Sequence, residues 1–390
     1  MYLLRTPRRP ATAQYQKDAP PMPADPLLHR LRAVRQALAD VPLDAALLTH
    51  PVNIGYVTGF TGSTAYALMT RDEAVLITDP RYTLRARQEC PHFAIAEASG
   101  SGSYGEALSK ALAAWPTLRR LGFEAAHVSV AQWQKFTAAH PAPLEWVPTE
   151  SLVEAGRAVK DAGEVDAIRR AIAVAEAAFV ELRPLLKPGA LERDLALALD
   201  TAMRRGGADA AAFETIVASG PQGARPHHTP NSRALETGDF VTIDWGASVG
   251  GYCSDITRTV VLGEPTPRQR EVYDAVREAQ ARAIAAIRPG RTGKEIDSVA
   301  REYLAAQGLG EAFGHGLGHA LGREVHDGPG LSPRMEGFVL APGMVQTVEP
   351  GVYLEGWGGL RLEEDVLVTP DGCEVLTRLP NTLDVIRAGA

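Results

Sequence analysis

The sequence predicts an α+β protein of two domains, a smaller mixed α/β domain followed by a larger one in which helices back a curved antiparallel sheet. Three observations predict this architecture. The chain has 390 residues, enough to bury two cores. The pattern of apolar residues changes near residue 155, from short alternating strand and helix patterns to those of long amphipathic helices. Beyond that point the order is helices, strands, helices, strands, which is typical of α+β folds.

The composition of residues 1–26 predicts a disordered tail. They are rich in proline and arginine and show no apolar period. No apolar core follows the basic residues, so the segment does not have the pattern of a signal peptide. Met22 offers an alternative start.

The smaller domain is predicted over residues 27–155, where strand-length apolar runs such as Leu43–Thr49 and Glu73–Asp79 alternate with helical patterns. The larger domain is predicted over residues 156–390. It opens with a long amphipathic helix, expected from Gly163 to Leu186.

Two later helices carry clear start signals. Thr266 to Gln269 and Thr292 to Glu295 are both capping boxes, and the first has proline at the first helical position. We therefore expect helices to begin directly after Thr266 and Thr292.

Composition and charge exclude several classes of protein. The net charge of −7 and the pI of about 5.9 argue against binding to nucleic acid or to an anionic membrane surface. Three cysteines form no spaced framework, which favours a reducing cytoplasm over a disulfide scaffold. No apolar run approaches the roughly 20 residues of a membrane span.

A short pattern in the larger domain occurs twice. Gly238–Gly246 can be laid over Gly343–Gly351. This overlay places Asp244 on Glu349, and the following segments place Asp255 on Glu363. The repeat predicts two related hairpins, each with one carboxylate per strand. The alternative is two generic hairpins with matching turn glycines.

Four carboxylates converging from strands cannot all ionise in an apolar sheet without compensation. Two bridged divalent metal ions are the usual compensation. The repeat therefore predicts that Asp244, Asp255, Glu349 and Glu363 bind metal.

Histidines cluster in two glycine-rich or proline-rich segments. His315, His319 and His326 lie in GHGLGHALGREVH, whose glycines disfavour a helix and favour an extended segment close to a site. No glutamate follows the first histidine, so the segment lacks the zincin pattern. His227 and His228 precede the first carboxylate hairpin. We expect one imidazole to complete the metal ligands and others to face substrate, with His228 a structural residue.

These segments resemble the pita-bread metallopeptidases, and among them the Xaa-Pro aminopeptidases and Xaa-Pro dipeptidases (prolidases). The resemblance covers roughly Lys160 to Thr377 and rests on four stretches: PHHTPNSRALETGDFVTIDWGASVGGYCSDITRT, GHGLGHALGREVHDGP, TVEPGVY and GLRLEEDVLVT. It implies a pita-bread catalytic domain preceded by a creatinase-like domain.

The resemblance also implies roles for individual residues. The family's five ligand positions are filled by Asp244, Asp255, His319, Glu349 and Glu363. By resemblance, Asp255 and Glu363 bridge two ions, Asp244 holds one ion, and His319 with Glu349 holds the other. The implied substrate and transition-state positions fall on His227, His315, His326, Arg361 and Tyr353.

The implied mechanism is hydrolysis of an Xaa-Pro bond. Paired metals lower the pKa of a shared water toward ~7. Glu349 is the implied general base, His326 the donor to the oxyanion, and His227 the contact for the carbonyl of the proline residue. Carboxylate-rich ligation with one histidine favours Mn²⁺, with Co²⁺ or Zn²⁺ as alternatives. The family also suggests a homodimer.

One departure bears on the substrate. Archaeal-type prolidases have an arginine four residues after the histidine aligned with His326, and Gly330 stands there in this chain. We therefore favour an aminopeptidase over a dipeptidase. We expect Gly330→Arg to shift specificity toward dipeptides, provided the backbone at Gly330 does not need a positive φ. Arg323, Arg334 or an arginine of the smaller domain are alternative anchors for a substrate carboxylate. Asp327, where glutamate is common, is expected to be a mild change.

Other functions stay open at this point. A methionine aminopeptidase would use the same metals but usually lacks the preceding domain. Creatinase-like amidinohydrolases lack the full ligand set. Ectoine hydrolase-like members remain an alternative. A metal-free pita-bread binding module is the alternative outside enzymes, and the intact ligands weigh against it.

Overall fold

A computed structural model describes residues 24–99, 104–139 and 144–387. Most of the tail predicted over residues 1–26 lies outside the described residues. The first helix already begins at Pro26, where the Asp25 side chain accepts a hydrogen bond from the Leu28 N–H and caps the helix. Regular structure thus starts at the last residue of the predicted tail.

The described residues form two compact units, one ending at Arg157 and the other beginning at Ala158. This division falls two residues beyond the boundary expected from the change in the apolar pattern (155 against 157).

The first unit contains a six-stranded mixed sheet with the order β4-β3-β2-β1-β5-β6. Strands β1, β2 and β3 pair antiparallel, whereas β4, β5 and β6 join by parallel pairing. Its elements in chain order are α1 (Pro26–Asp40), β1 (Ala45–Leu48), α2 (Pro51–Thr58), β2 (Tyr66–Thr70), β3 (Ala74–Thr78), α3 (Thr83–Glu89), β4 (Ala94–Glu97), α4 (Tyr104–Ala113), β5 (Arg120–Glu124), α5 (Val130–Ala139), β6 (Glu145–Thr149) and, crossing the boundary, α6 (Glu154–Ala158).

The centre of this sheet is apolar on both faces. Every residue of β1 is buried, which explains why it reads as a continuous apolar run and not as an alternating one. The predicted strands Leu43–Thr49 and Glu73–Asp79 correspond to β1 and β3.

The second unit is built on four long helices: α7 (Ala162–Leu182), α8 (Glu192–Arg205), α9 (Pro267–Ala286) and α10 (Gly293–Ala306). The capping boxes predicted at Thr266 and Thr292 both form. Helix α7 stops earlier than expected and passes into a 3₁₀ turn at Arg183–Leu185, because Pro184 has no N–H to continue the ladder.

The strands of the second unit form small, mainly antiparallel sheets, ordered β18-β12-β9-β8, β13-β16-β17, β14-β15 and β11-β10-β7. The exception is parallel pairing of β12 with β18. The strands are β7 (Ala210–Ala211), β8 (Ile216–Ser219), β9 (Phe240–Trp245), β10 (Ala247–Val249), β11 (Tyr252–Cys253), β12 (Ile256–Leu262), β13 (Val345–Val348), β14 (Gly351–Leu354), β15 (Gly358–Arg361), β16 (Glu364–Val368), β17 (Cys373–Val375) and β18 (Asp384–Ile386).

The two carboxylate hairpins of the repeat are β9–β12 and β13–β16, and the Glu363 N–H donates to the Thr257 carbonyl between them at 3.1 Å. Their registers differ. Asp244 pairs with Thr257, whereas Val348 pairs with Glu364, so that Glu349 and Glu363 stand opposite each other. The overlay is therefore correct for the positions of the acids but not for their cross-strand partners.

The histidine-rich segment is extended around His319, as its glycines predict, and bends from Gly322 to His326. It runs beside β13, with hydrogen bonds from the Thr347 N–H to the His319 carbonyl and from the Glu349 N–H to the Leu317 carbonyl, both 2.8 Å. A Cβ on Gly318 would lie only 2.0 Å from the Thr347 oxygen, so only glycine allows this approach. Among the described residues, no helix is long and apolar enough to cross a membrane.

Candidate metal centre

A cavity of about 500 Å³ lies within the second unit. It is lined by all of the predicted ligands and most of the predicted substrate contacts: Asp244, Asp255, His319, Glu349, Glu363, His227, His315, His326 and Arg361. Tyr353 is absent from its lining. Residues far apart in the sequence thus converge where the two hairpins and the histidine segment meet.

Three of the predicted ligands form a tight donor cluster. One ligand atom from each of Asp255, His319 and Glu363 lies within 4.8 Å of the others. His319 Nε2 lies 3.4 Å from Asp255 Oδ2 and 3.5 Å from Glu349 Oε1. Oxygen and imidazole nitrogen atoms at these separations are suited to a shared divalent cation.

The orientation of His319 supports a ligand role. Its Nδ1 faces the Ala320 carbonyl at 3.2 Å, and because a carbonyl only accepts, Nδ1 carries the hydrogen. The Nε2 lone pair then faces the carboxylates. Burial, together with His326, lowers the pKa of His319 to about 4, so the ring is neutral at pH 7.

Burial makes full ionisation of the carboxylates unfavourable. Burial, followed in importance by the negative charge of Glu363, raises the pKa of Asp255 well above its usual range. Burial, followed in importance by the negative charge of Glu349, does the same for the pKa of Glu363. Burial raises the pKa of Glu349 to about 8, against the opposing effect of Arg361. A bound cation removes this penalty.

Asp244 has one oxygen available. Its Oδ2 accepts from Arg361 Nη2 at 2.5 Å, whereas its buried Oδ1 has no hydrogen-bond partner among the described residues. An orphaned carboxylate oxygen facing other acids fits a metal ligand. The donor set as a whole therefore fits divalent metal.

Arg361 is the protein's own cation at the site. The guanidinium is buried and donates to Asp244, to Thr257 Oγ1 at 3.1 Å and to the Tyr353 hydroxyl at 2.9 Å. It also lies 3.8 Å from Glu349 Oε2. In this geometry Arg361 orients ligands more than it contacts substrate.

His315 and Tyr353 belong to the same network. The Tyr353 hydroxyl lies 2.9 Å from His315 Nε2, and His315 Nδ1 lies 2.7 Å from the Gly316 carbonyl. Burial lowers the pKa of His315 to about 4, so the neutral ring donates to Gly316 and accepts from Tyr353. The expected contact of Tyr353 with substrate therefore has no support here, because the hydroxyl is engaged on both sides and lies outside the cavity lining.

His227 and His326 are the exposed histidines of the cavity. The His326 ring packs edge-on against His319, with centroids 4.2 Å apart. The next residue, Asp327, is buried and pairs with Lys160 at 3.3 Å. The aspartate carboxylate fills the space beside Gly322, whose added Cβ would lie 2.0 Å from it. This close packing explains how the shorter acid fits at position 327.

Sequence reasoning missed several supporting residues. Thr257 Oγ1 donates to Glu363 Oε2 at 2.7 Å, and the Asp255 N–H donates to Asp365 Oδ2 at 3.2 Å. Thr347 Oγ1 accepts from the His319 N–H at 3.0 Å. Thr257 and Thr347 each lie two residues from a ligand on an extended strand and so share its face, a signal that alternation could have supplied.

Gly330 does not have a positive φ, but its surroundings leave no room for a side chain. A Cβ at Gly330 would lie 2.3 Å from the Gly318 carbonyl oxygen and 2.5 Å from the Cα of His319. Gly330→Arg would therefore displace the backbone that carries a ligand, and it cannot serve as a clean test of specificity. Arg323 and Arg334 do not line the cavity either.

Comparison with known proteins agrees with this geometry. Residues 166–370 match metallopeptidase family M24, and residues 30–159 match the creatinase/prolidase N-terminal domain. The chain belongs to metallopeptidase family M24. The family implies divalent metal ions, and the predicted pita-bread α+β fold is confirmed.

Individual relatives cover nearly the whole chain. An uncharacterized peptidase of Bacillus subtilis, YqhT, is 40% identical over 92% of this chain and 100% of its own. The structure of an Xaa-Pro dipeptidase from Bacillus anthracis has a TM-score of 0.89 at 37% identity, covering 92% of this chain and 100% of that one. An X-Pro aminopeptidase from Thermotoga maritima has a TM-score of 0.84 at 39% identity, covering 90% and 100%.

The first prediction concerns the two carboxylates of the donor cluster, Asp255 and Glu363. Asp255→Ala or Glu363→Ala should abolish stable metal binding and peptidase activity, because each removes an oxygen from the centre of the donor cluster. Metal-to-protein ratios after purification from Mn²⁺-supplemented medium measure the effect. Asp274→Ala, an exposed acid on α9, is the control and should keep both properties. Full metal content in either ligand variant would refute the assignment.

The second prediction concerns pH. Where folded pKa values exceed unfolded ones, the folded state binds more protons and stability falls as pH rises. For Glu349 that window runs from its ordinary pKa of 4.5 to about 8. Chelator-treated protein should therefore unfold at lower urea at about pH 8 than at about pH 5.

Two controls separate this effect from a general response to pH. Mn²⁺ should restore stability at the higher pH, and Glu349→Gln should reduce the dependence by the share of Glu349, leaving that of Asp255 and Glu363. A flat profile in the chelator-treated wild-type protein would contradict the electrostatic account.

Proposed function

We propose that the protein is an Xaa-Pro aminopeptidase that uses two divalent metal ions to release the N-terminal residue from Xaa-Pro peptides. The observation that carries the proposal is the cavity itself. It combines a buried oxygen-rich donor set with one arginine, Arg361, whose guanidinium is already engaged by Asp244, Thr257 and Tyr353.

The proposed metal ligands are Asp244, Asp255, His319, Glu349 and Glu363, with Asp255 and Glu363 shared between the ions. The metals would activate a water molecule and polarise the scissile carbonyl. The protein's own part is to hold the donors in place through Arg361, Thr257 and the backbone pairing of β13.

Glu349 is the proposed proton carrier. It accepts a proton from the attacking water and delivers it to the departing nitrogen. The proline nitrogen of the intact bond carries no hydrogen, so a protease that needs an N–H at that position would not bind it. His326 is the proposed donor to the oxyanion, and exposed His227 is the proposed contact for the carbonyl of the proline residue.

The lining argues for an aminopeptidase. A dipeptide carries a carboxylate on its proline, and burying that anion requires a paired cation. Arg361 is the sole arginine or lysine among the described residues that line the cavity, and it is committed to Asp244. In an Xaa-Pro-Yaa tripeptide, an uncharged amide replaces the carboxylate of the proline residue, so no paired cation is needed there.

A dipeptidase is the second candidate. Two exposed histidines, His227 and His326, line the cavity and would hold a carboxylate when protonated. The neighbour from Bacillus anthracis is named an Xaa-Pro dipeptidase. Mn²⁺ as the native ion, a homodimer and a cytoplasmic location remain predictions from the sequence.

A substrate panel distinguishes the two candidates. We expect a higher kcat/KM for Ala-Pro-Ala than for Ala-Pro, because the cavity offers the dipeptide carboxylate no free guanidinium or ammonium. Met-Ala-Ser and creatine serve as controls for the alternative family activities. Efficient hydrolysis of Ala-Pro with no cleavage of Ala-Pro-Ala would establish the dipeptidase instead.

The role of His326 is tested by His326→Ala. Because its ring packs edge-on against His319 without belonging to the proposed ligand set, the variant should keep its metal content. Its kcat should fall by about 10²–10³, the usual effect of losing one oxyanion donor. Loss of metal with ordinary kinetics in the residual loaded enzyme would mean that His326, and not His319, is a ligand.

A further inference from the structure

The segment that carries His227 is held on both sides. Before it, the Pro226 carbonyl accepts a hydrogen bond from Arg361 Nη1 at 3.3 Å. After it, His228 Nε2 lies 2.8 Å from Glu192 Oε2. His227 stands between these anchors with its side chain exposed at the cavity.

Glu192 is the centre of a buried network. The side chain is fully buried in the first turn of α8, and its Oε1 accepts from the Ser219 N–H at 2.9 Å and from Ser219 Oγ at 2.6 Å. Its Oε2 accepts from His228 and from the Asn231 N–H at 3.3 Å. The network therefore ties the end of β8 and the start of α8 to the histidine segment.

The adjacent residues His227 and His228 differ in their exposure and in their hydrogen-bond partners. Both line the cavity, but His228 is only 5% exposed and faces a carboxylate that has lost all contact with water. Because an ionised carboxylate only accepts, His228 Nε2 carries the hydrogen of this bond. Its ring is thereby committed to Glu192 and is unavailable to hydrogen-bond a substrate through that atom.

We propose that His228 is a positioning residue, whose hydrogen bond to Glu192 holds the imidazole of His227 in place for substrate. The inference rests on the proposed substrate contact of His227. Without the anchor at His228, the backbone on one side of His227 would gain freedom that substrate binding must then remove. His228 thus acts on the substrate only through His227.

A double-mutant cycle tests this dependence, with kcat and KM measured on Ala-Pro-Ala. His228→Ala should lower kcat/KM by between about threefold and a hundredfold, the range for residues coupled through one network. The change should lie mainly in KM, with metal content unaltered. In the His227→Ala background, His228→Ala should have no further effect on kcat/KM.

A conservative variant separates positioning from general stability. His228→Gln keeps an N–H donor that can reach Glu192, so it should retain most of the wild-type kcat/KM. Thermal unfolding of each variant shows how much of any loss reflects damage to the fold. If His228→Ala does not fold, the same cycle is run with Glu192→Gln, which removes one acceptor oxygen from the network.

Several results would overturn the proposal. An equal loss from His228→Ala in the wild-type and His227→Ala backgrounds would show that His228 acts independently. Equal losses from the alanine and glutamine variants would show that the hydrogen bond is not used. A His227→Ala variant with wild-type kcat/KM would remove the basis for positioning. If the wild-type protein cleaves a different peptide instead, the proposed function fails, and the cycle on that peptide still decides the role of His228.

Discussion

The burial of several carboxylates around one cavity is the constraint on which the rest of the catalytic unit depends. Asp255, Glu349 and Glu363 lie where burial raises their pKa values, and a neutral His319 directs its lone pair at two of them. Such an arrangement is unfavourable without a cation, because each ionised group loses water and gains a like-charged neighbour. The same arrangement makes the unit suitable for binding divalent metal.

The surrounding residues can be understood as the means of keeping these donors in place. Arg361 offsets charge at Asp244, Thr257 donates to Glu363, and Asp365 accepts from the backbone of Asp255. Further out, Arg258 donates to the carbonyl of Glu363 and pairs with Glu364, which links β12 of the first hairpin to β16 of the second. Donors held by a second layer keep their geometry during substrate binding, which is what an active site of fixed chemistry requires.

The sequence correctly predicted those features of the structure for which local signals agree with the tertiary contacts. The capping boxes at Thr266 and Thr292 form as expected, since the atoms that make them lie within four consecutive residues. The acids of the repeat converge on the cavity as expected, although the two hairpins differ in register. The register of the second hairpin and the surroundings of Gly330 were not predictable, because both depend on which backbone segment lies alongside.

The sequence by itself determined the α+β class, the hairpins that carry the acids, and the extended glycine-rich segment, since periodicity, turn glycines and buried charge are properties of short stretches. Only the tertiary structure decided which histidines of the cavity are exposed and which are buried and anchored. His227 and His228 are adjacent and chemically identical, yet one is exposed at the cavity and the other is bonded to buried Glu192. That difference arises from the contact of His228 with Glu192, 36 residues earlier in the chain (192 against 228), which no local pattern encodes.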